Sequence, residues 1–158
     1  MIIFTIILGA IFCFALGFHV GVKKSPTLQE SLEDKIWKVK AFHRVFDVYE
    51  NHEPNVIADK TALLRHRIQA EENDEYLSAN QQENLIEVAD ALGDQLYIIF
   101  GTIAVHGLQD KIGDVFDEIH RSNMSKLENG KPVYRNDGKI LKGSKYFRPN
   151  IKQILEKQ

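Results

Sequence analysis

The chain has 158 residues, of which 44% are hydrophobic, and its formal net charge is -2 at pH 7. This size suits one domain with a substantial core, and the slightly acidic balance gives no indication of a nucleic-acid-binding surface. A single cysteine, Cys13, excludes both an intrachain disulfide and a cysteine metal site.

An uncharged apolar segment, residues 2–22, precedes Lys23 and Lys24. As a helix it would be about 30 Å long, which matches the hydrocarbon core of a bilayer. We therefore predict a membrane anchor with its flank over residues 1–24 and one domain over residues 25–158, which the two lysines place in the cytoplasm. The alternatives are a cleaved signal peptide and a misassigned start, the latter giving a soluble cytoplasmic protein.

The rest of the chain shows helical periodicity interrupted by short breaks. The predicted helices cover about residues 27–49, 59–77, 81–106, 109–126 and 149–155. Thr27 with Glu30, and Asn80 with Glu83, have the spacing of capping boxes, and the turn between the second and third helices is expected at residues 78–80. The third helix is the most apolar, as is typical of a central helix. With an irregular tail and a loose hairpin at residues 128–148, this pattern predicts an all-α bundle of four to five helices.

Two acidic runs lie in neighbouring predicted helices. Glu72 and Glu75 share a face of the second helix, while a face of the third carries Glu87, Asp90 and Asp94. If these helices pack together, the five carboxylates form a cluster that needs a hard cation, Mg2+ with Mn2+ as the alternative. The competing interpretation is a pair of solvated helix faces. The apolar surroundings of the second run favour the cluster, because acids in a core-facing stripe need a partner.

Other residues bear on the kind of site. A di-iron bundle needs Glu-x-x-His pairs, and no His follows a Glu at that spacing. The segment 121–126 and the basic tail, which includes Lys142, can neutralise phosphate oxygens. Phe42, His43 and Phe46 can line a nucleobase pocket, although aromatic residues at helical spacing are more often core, and a lone His is more often structural.

The chain resembles the all-α nucleoside triphosphate pyrophosphohydrolases, the MazG-like and phosphoribosyl-ATP pyrophosphohydrolase-like superfamily. The signature of that superfamily, Glu-x-x-Glu followed by Glu-x-x-Asp, is met by Glu72 with Glu75 and by Glu87 with Asp90. Four further stretches carry the likeness: Ala-Phe-His at residues 41–43, Ala-Leu-Gly-Asp at 91–94, the segment 118–126, and the tail from 137 to 149.

The resemblance implies hydrolysis of a nucleoside triphosphate, either a dNTP or a non-standard nucleotide, to a monophosphate and pyrophosphate. It implies that the four signature carboxylates hold Mg2+ with help from Asp94, and that Glu72 or Glu75 positions or deprotonates the water. Side chains that would hold phosphate or sugar are Asn123, Lys126, Lys142 and Tyr146. The resemblance also implies a homodimer or homotetramer in which helices of two chains complete a site. The alternative function is a non-catalytic, membrane-anchored helical adaptor with a divalent-ion site.

Overall fold

The structure is a computed structural model that describes residues 30–156. Its helices are α1 (Leu32–Val45), α2 (Asp59–Gln81), α3 (Leu85–Val105), α4 (Ile112–Met124) and α5 (Ile151–Glu156). No strand occurs in this part of the chain, so the all-α prediction is confirmed for it. The predicted membrane anchor at residues 2–22 and the predicted cap residue Thr27 lie outside the described residues.

Helix α1 begins with a capping box one turn later than the predicted cap. The Ser31 hydroxyl accepts a hydrogen bond from the Asp34 backbone N–H (3.1 Å), and the Asp34 carboxylate accepts one from the Ser31 N–H (2.8 Å). The helix ends at Val45 rather than near Tyr49 as predicted. Asp47 has a φ of 53°, in the left-handed region, and this conformation stops the helix.

Helices α2 and α3 form a tight helical hairpin, and the turn predicted at residues 78–80 is wrong. Helix α2 continues to Gln81, and the reversal falls at Glu83, whose φ is 56°. The Asn84 side chain then caps α3 by accepting hydrogen bonds from the N–H groups of Ile86 (3.2 Å) and Glu87 (3.4 Å). The prediction chose the earlier polar residues, whereas the left-handed residue and the cap that reverse the chain lie three to four positions later.

Helix α3 is central, as its apolar character predicts, because it packs against both α1 and α2. The most completely buried apolar side chains come from α1 (Ile36 and Val39) and from the end of α3 (Ala104 and Val105). Within residues 30–156, α3 also has the length and mean hydropathy (1.4) of a membrane-crossing helix. However, α3 carries acidic residues and lies between two other helices, and these features are typical of the central helix of a bundle and not of a membrane-spanning helix.

The C-terminal part of the chain is a separate layer. Helix α4 packs against α5 and contacts the three preceding helices only weakly. Between them, isolated bridges join Glu128 with Lys131 and Tyr134 with Ile140, which confirms the predicted loose hairpin in an irregular tail.

Two glycines of α3 differ in their surroundings, and this difference predicts opposite effects of alanine. A Cβ added at Gly101 would lie 2.7 Å from Nη2 of Arg65 and 2.9 Å from Nε2 of His43, whereas one at Gly93 would meet nothing within 4 Å. We expect Gly101→Ala to lower the free energy of unfolding by about 1–3 kcal/mol through overpacking. Gly93→Ala should raise it by about 1 kcal/mol through helix propensity. Urea unfolding of both variants measures the difference, and equal effects would contradict the close approach at Gly101.

Candidate active site

The five predicted metal ligands lie at one end of the α2–α3 hairpin. Glu72 and Glu75 belong to the later turns of α2, and the three acidic residues of α3 belong to its first half. Because the connection between the helices is short, the two groups face the same end of the hairpin. The Gln95 side chain joins the helices there by donating a hydrogen bond to the backbone carbonyl of Glu72 (3.3 Å).

Glu72 is the most constrained carboxylate of this cluster. It is half-buried, and its Oε2 atom is buried without a hydrogen-bond partner. Burial raises the pKa of Glu72, and the neighbouring carboxylates of Glu75, Asp94, Glu71 and Asp90 raise it further. The ionised form of Glu72 therefore lacks a compensating positive charge, and a metal cation beside it would supply one and coordinate the unpartnered oxygen.

Beside Glu72 the hairpin forms a groove of about 410 Å³. Its walls include three of the predicted ligands, Glu75, Glu87 and Asp90, together with the amide side chains of Gln82 and Asn84. Glu75 and Asp90 therefore connect the groove with Glu72, because both line the groove and both act on the charge of Glu72. The five predicted residues are one continuous acidic surface that runs from Asp94 to the groove.

The donor chemistry of this surface suits a hard divalent cation, which prefers carboxylate oxygens. In the described part of the chain, however, no three His, Cys, Asp or Glu side chains converge closely enough to enclose an ion. Like-charged carboxylates repel one another, which opposes their convergence. The orphaned Oε2 of Glu72 is the feature that fits a metal. Glu71 also acts on the charge of Glu72, but it pairs with Arg67 (3.9 Å) and its side chain is 60% exposed, so it is not counted among the proposed ligands.

The raised pKa of Glu72 predicts a conflict between stability and function. A carboxyl whose pKa is higher in the folded than in the unfolded state destabilises the fold once it ionises, so this cost is absent at low pH and complete above the folded-state pKa. We expect Glu72→Gln to raise the melting temperature of the metal-free protein at pH 7 modestly, because the amide carries no charge for the neighbouring carboxylates to repel. The gain should disappear near pH 4. Scanning calorimetry at both pH values measures it, and a lower melting temperature of Glu72→Gln at pH 7 would contradict the proposed repulsion.

His43, a predicted substrate-binding residue, lies in the interior of the bundle. Its side chain is 2% exposed, and Nδ1 lies 3.7 Å from the Glu50 carboxylate, which in turn lies 3.4 Å from Nζ of the buried Lys40. Burial lowers the pKa of His43, Glu50 opposes this effect, and Arg65 and Lys40 add to it. In this conformation His43 is part of a buried polar network.

The aromatic side chains near His43 are partly exposed and do not belong to the hydrophobic core. The ring of Phe42 packs against Phe46 at 4.3 Å between centroids and against the edge of Tyr97 at 5.7 Å. Phe46 is 63% exposed, and Phe42 and Tyr97 are each about two-fifths exposed. Tyr97 follows Asp94 by three residues on α3, so the rings flank the acidic surface on its α1 side.

The four predicted phosphate-binding residues lie together, but on the C-terminal layer. Asn123 ends α4, and the backbone carbonyl of Lys126 accepts a hydrogen bond from the Gly143 N–H (3.0 Å). Next to Gly143, Nζ of Lys142 lies 4.4 Å from the centre of the Tyr146 ring. The Ser122 hydroxyl also ties α4 to the tail through the Phe147 carbonyl (2.8 Å). Among residues 30–156, no hydrogen bond or ion pair of these four residues runs to the acidic surface.

Three residues near the acidic surface escaped the sequence-based prediction. Gln95 and Tyr97 lie within three residues of Asp94 on α3, so helical spacing could have predicted that they lie near the acidic residues. Arg65 precedes Glu72 by seven residues, which places it on the same face two turns away. An arginine in an otherwise apolar position of a helix is the signal that could have identified it.

Comparison with known proteins identifies the family. The family model of phosphoribosyl-ATP pyrophosphohydrolase matches residues 39–123, more than half of the chain. The match includes His43, the five acidic residues and Asn123, whereas Lys126, Lys142 and Tyr146 lie beyond it. Comparison with the curated proteins gives no match. The chain belongs to the phosphoribosyl-ATP pyrophosphohydrolase family and is an enzyme that acts on a nucleotide as a pyrophosphohydrolase.

Proposed function

We propose that the protein hydrolyses a nucleoside triphosphate, a dNTP or a non-standard nucleotide, to a monophosphate and pyrophosphate with Mg2+ or Mn2+ as cofactor. The observation that carries this proposal is the buried, unpartnered Oε2 of Glu72, whose charge is opposed by the nearby carboxylates of Glu75, Asp94 and Asp90 among others. Such a cluster is unfavourable by itself, and a hard cation held there would offset the repulsion and could neutralise a polyphosphate. Family membership supports the same chemistry, since its members in general depend on divalent metals.

The acidic residues have distinct roles in this proposal. Glu72, Glu75, Glu87 and Asp90 hold the cation, and Asp94 assists by its position one turn after Asp90. When bound, the cation neutralises phosphate oxygens and orients the phosphate for in-line attack. Glu72 or Glu75 positions the attacking water and accepts its proton.

The rest of the substrate needs two further surfaces. Asn123, Lys126, Lys142 and Tyr146 are proposed to bind phosphate or sugar, because they combine amide, ammonium and phenol donors at one end of α4. The base is proposed to stack on the exposed rings of Phe42 and Tyr97, which flank Asp94. His43 lies directly behind this platform, and a base that displaces Phe42 would bring it within reach.

Because no hydrogen bond or ion pair joins these two surfaces among residues 30–156, we propose a homodimer or homotetramer in which a second copy contributes one of them to the site. Helices α2 and α3 expose large apolar side chains, including Leu63, Leu85 and Ile86 at 69–79% exposure, and α4 exposes Phe116 at 65%. Such a patch is unusual on a monomer. A second copy that covers it can place the tail of one chain over the acidic surface of the other.

The localisation in the proposal rests on residues 2–22, which are long and apolar enough to span a bilayer. The catalytic domain then lies on the cytoplasmic side, after Lys23 and Lys24. Alkaline extraction of membranes tests this placement, with a chain that begins at Ser25 as the control. The full chain should stay in the membrane pellet and the shortened chain should not, whereas release of both would remove the anchor from the proposal.

A substrate panel tests the function. Each canonical NTP and dNTP, together with deaminated and oxidised forms, is incubated with the protein and Mg2+, and pyrophosphate and orthophosphate are measured separately. We expect pyrophosphate from at least one nucleotide without a matching release of orthophosphate. Orthophosphate as the first product would exclude cleavage between the α and β phosphates. Binding of Mg2+ without turnover of any nucleotide would favour the adaptor.

A further inference from the structure

Arg65 is a partly buried cation that joins α2 to α3 at the end of the seam opposite the hairpin turn. Its Nε donates a hydrogen bond to the Thr102 hydroxyl (3.0 Å), and its Nη2 donates one to the backbone carbonyl of Ile98. The Thr102 hydroxyl itself donates to the same carbonyl (2.9 Å). The guanidinium passes so close to Gly101 that a Cβ there would lie 2.7 Å from Nη2.

The Arg65 contact lies at a similar distance from the acidic residues on both helices. Arg65 precedes Glu72 by seven residues on α2, and Ile98 follows Asp94 by four on α3. The distance along each helix is therefore about one to two turns, or about 6–10 Å. A slip of α2 against α3 by a single residue would move Glu72 by about 1.5 Å relative to Asp90 and Asp94. Cation coordination by several carboxylates tolerates little of such displacement.

Helix packing alone does not need a guanidinium at this place. Partial burial lowers the pKa of Arg65, and the adjoining buried network adds Lys40 and His43, both of which lie beside the Glu50 carboxylate. An apolar side chain would fill the same seam without this cost. The arginine adds directional hydrogen bonds. Its donors fit one carbonyl and one hydroxyl of α3, so they specify one register of α2 against α3.

We propose that Arg65 is a positioning residue of the active site, which holds α2 in register with α3 so that Glu72 stays beside Asp90 and Asp94 at the proposed cation site. This inference rests on the proposed metal-dependent function. In this role Arg65 is not a metal ligand, and it acts through the Ile98 carbonyl and the Thr102 hydroxyl of α3. The Gln95 contact with the Glu72 carbonyl fixes the other end of the same register.

The test measures divalent-cation affinity without nucleotide, using the full chain in mild detergent and Mn2+ titrated by calorimetry. We expect Arg65→Met to weaken Mn2+ binding by about tenfold or more, in the range seen for outer-shell partners of metal ligands. It should also lower kcat. Arg65→Lys keeps one donor for the Ile98 carbonyl and should restore part of the affinity. Arg67→Met is the matched control, because Arg67 is an exposed arginine of the same helix that pairs with Glu71. The Mn2+ affinity of this variant should equal that of the wild type.

The outcomes separate this inference from the proposed function. If Arg65→Met melts at a lower temperature but binds Mn2+ within twofold of the wild type, Arg65 is a stabilising residue only and the inference is overturned. If that variant does not fold, Thr102→Val decides, because it removes the acceptor for Nε and leaves the Ile98 carbonyl. Weaker Mn2+ binding by Thr102→Val supports the positioning role, and unchanged binding overturns it. A wild-type chain that binds no Mn2+ and turns over no nucleotide contradicts the proposed function itself.

Discussion

Asp90→Asn should lower kcat by at least about 100-fold while leaving the helical content unchanged, because it removes a charged oxygen ligand without altering side-chain volume. Asp90 suits this test, since like Glu75 it lines the groove and acts on the charge of Glu72. Its side chain is exposed, so the variant has no buried contact to lose. Circular dichroism measures the helical content, and pyrophosphate release with Mg2+ measures kcat.

Glu71→Gln is the matched control for this prediction. Glu71 lies on the same hairpin and carries the same charge, but it pairs with Arg67 on the outer face of α2. Its activity should stay within about twofold of the wild type, the size expected for an exposed ion pair. Loss of activity in both variants would show a general effect of acidic charge, and full activity of Asp90→Asn would remove Asp90 from the metal site.

The second large effect concerns a site shared between two chains. Asp90→Asn and Lys126→Ala should each be inactive alone, yet regain activity when the two variants are expressed together. In a mixed dimer, one of the two sites receives the intact acidic surface of one chain and the intact tail of the other. With random pairing of the chains, half of the dimers are mixed and each has one intact site, so about one quarter of the wild-type activity should return.

This recovery distinguishes a shared site from one built within a single chain. If the acidic surface and Lys126 of the same chain act together, every site in every mixture carries one substitution and no activity returns. Combining Asp90→Asn with Glu75→Gln provides the control, because both changes lie on the same acidic surface and co-expression should restore nothing. Recovery in this control would indicate exchange by some route other than a shared site.

Periodicity predicted the elements that depend on local sequence. The spacing of Ile36 and Val39 correctly places them in the core, and the order and number of helices follow from similar stripes. Helix ends were predicted less well. The α2–α3 turn depends on Glu83 in a left-handed conformation and on the Asn84 cap, and an earlier Ser-Ala-Asn segment has equally suitable turn residues.

The candidate site was predictable where it depends on spacing within one helix. The three- and four-residue spacing predicts one shared face for Glu72 and Glu75 on α2 and one for the acidic residues of α3. Both groups lie at the same end of the hairpin. The Arg65 contact with α3 was not predictable, because it depends on how two helices are aligned. The sequence also did not predict that Phe42 and Phe46 are exposed. A stripe of aromatic side chains has the same sequence pattern whether other parts of the chain or a bound molecule cover it.

The most direct test of the central claim is pyrophosphate release from the best nucleotide of the panel, measured on one sample before EDTA, after EDTA and after Mg2+ is added back. The claim is that the acidic surface of α2 and α3 works only with a divalent cation. It predicts that EDTA abolishes pyrophosphate release, and that Mg2+ restores it in the wild type but not in Asp90→Asn. Release of pyrophosphate that persists in EDTA, or that Mg2+ restores equally in Asp90→Asn, would contradict the account.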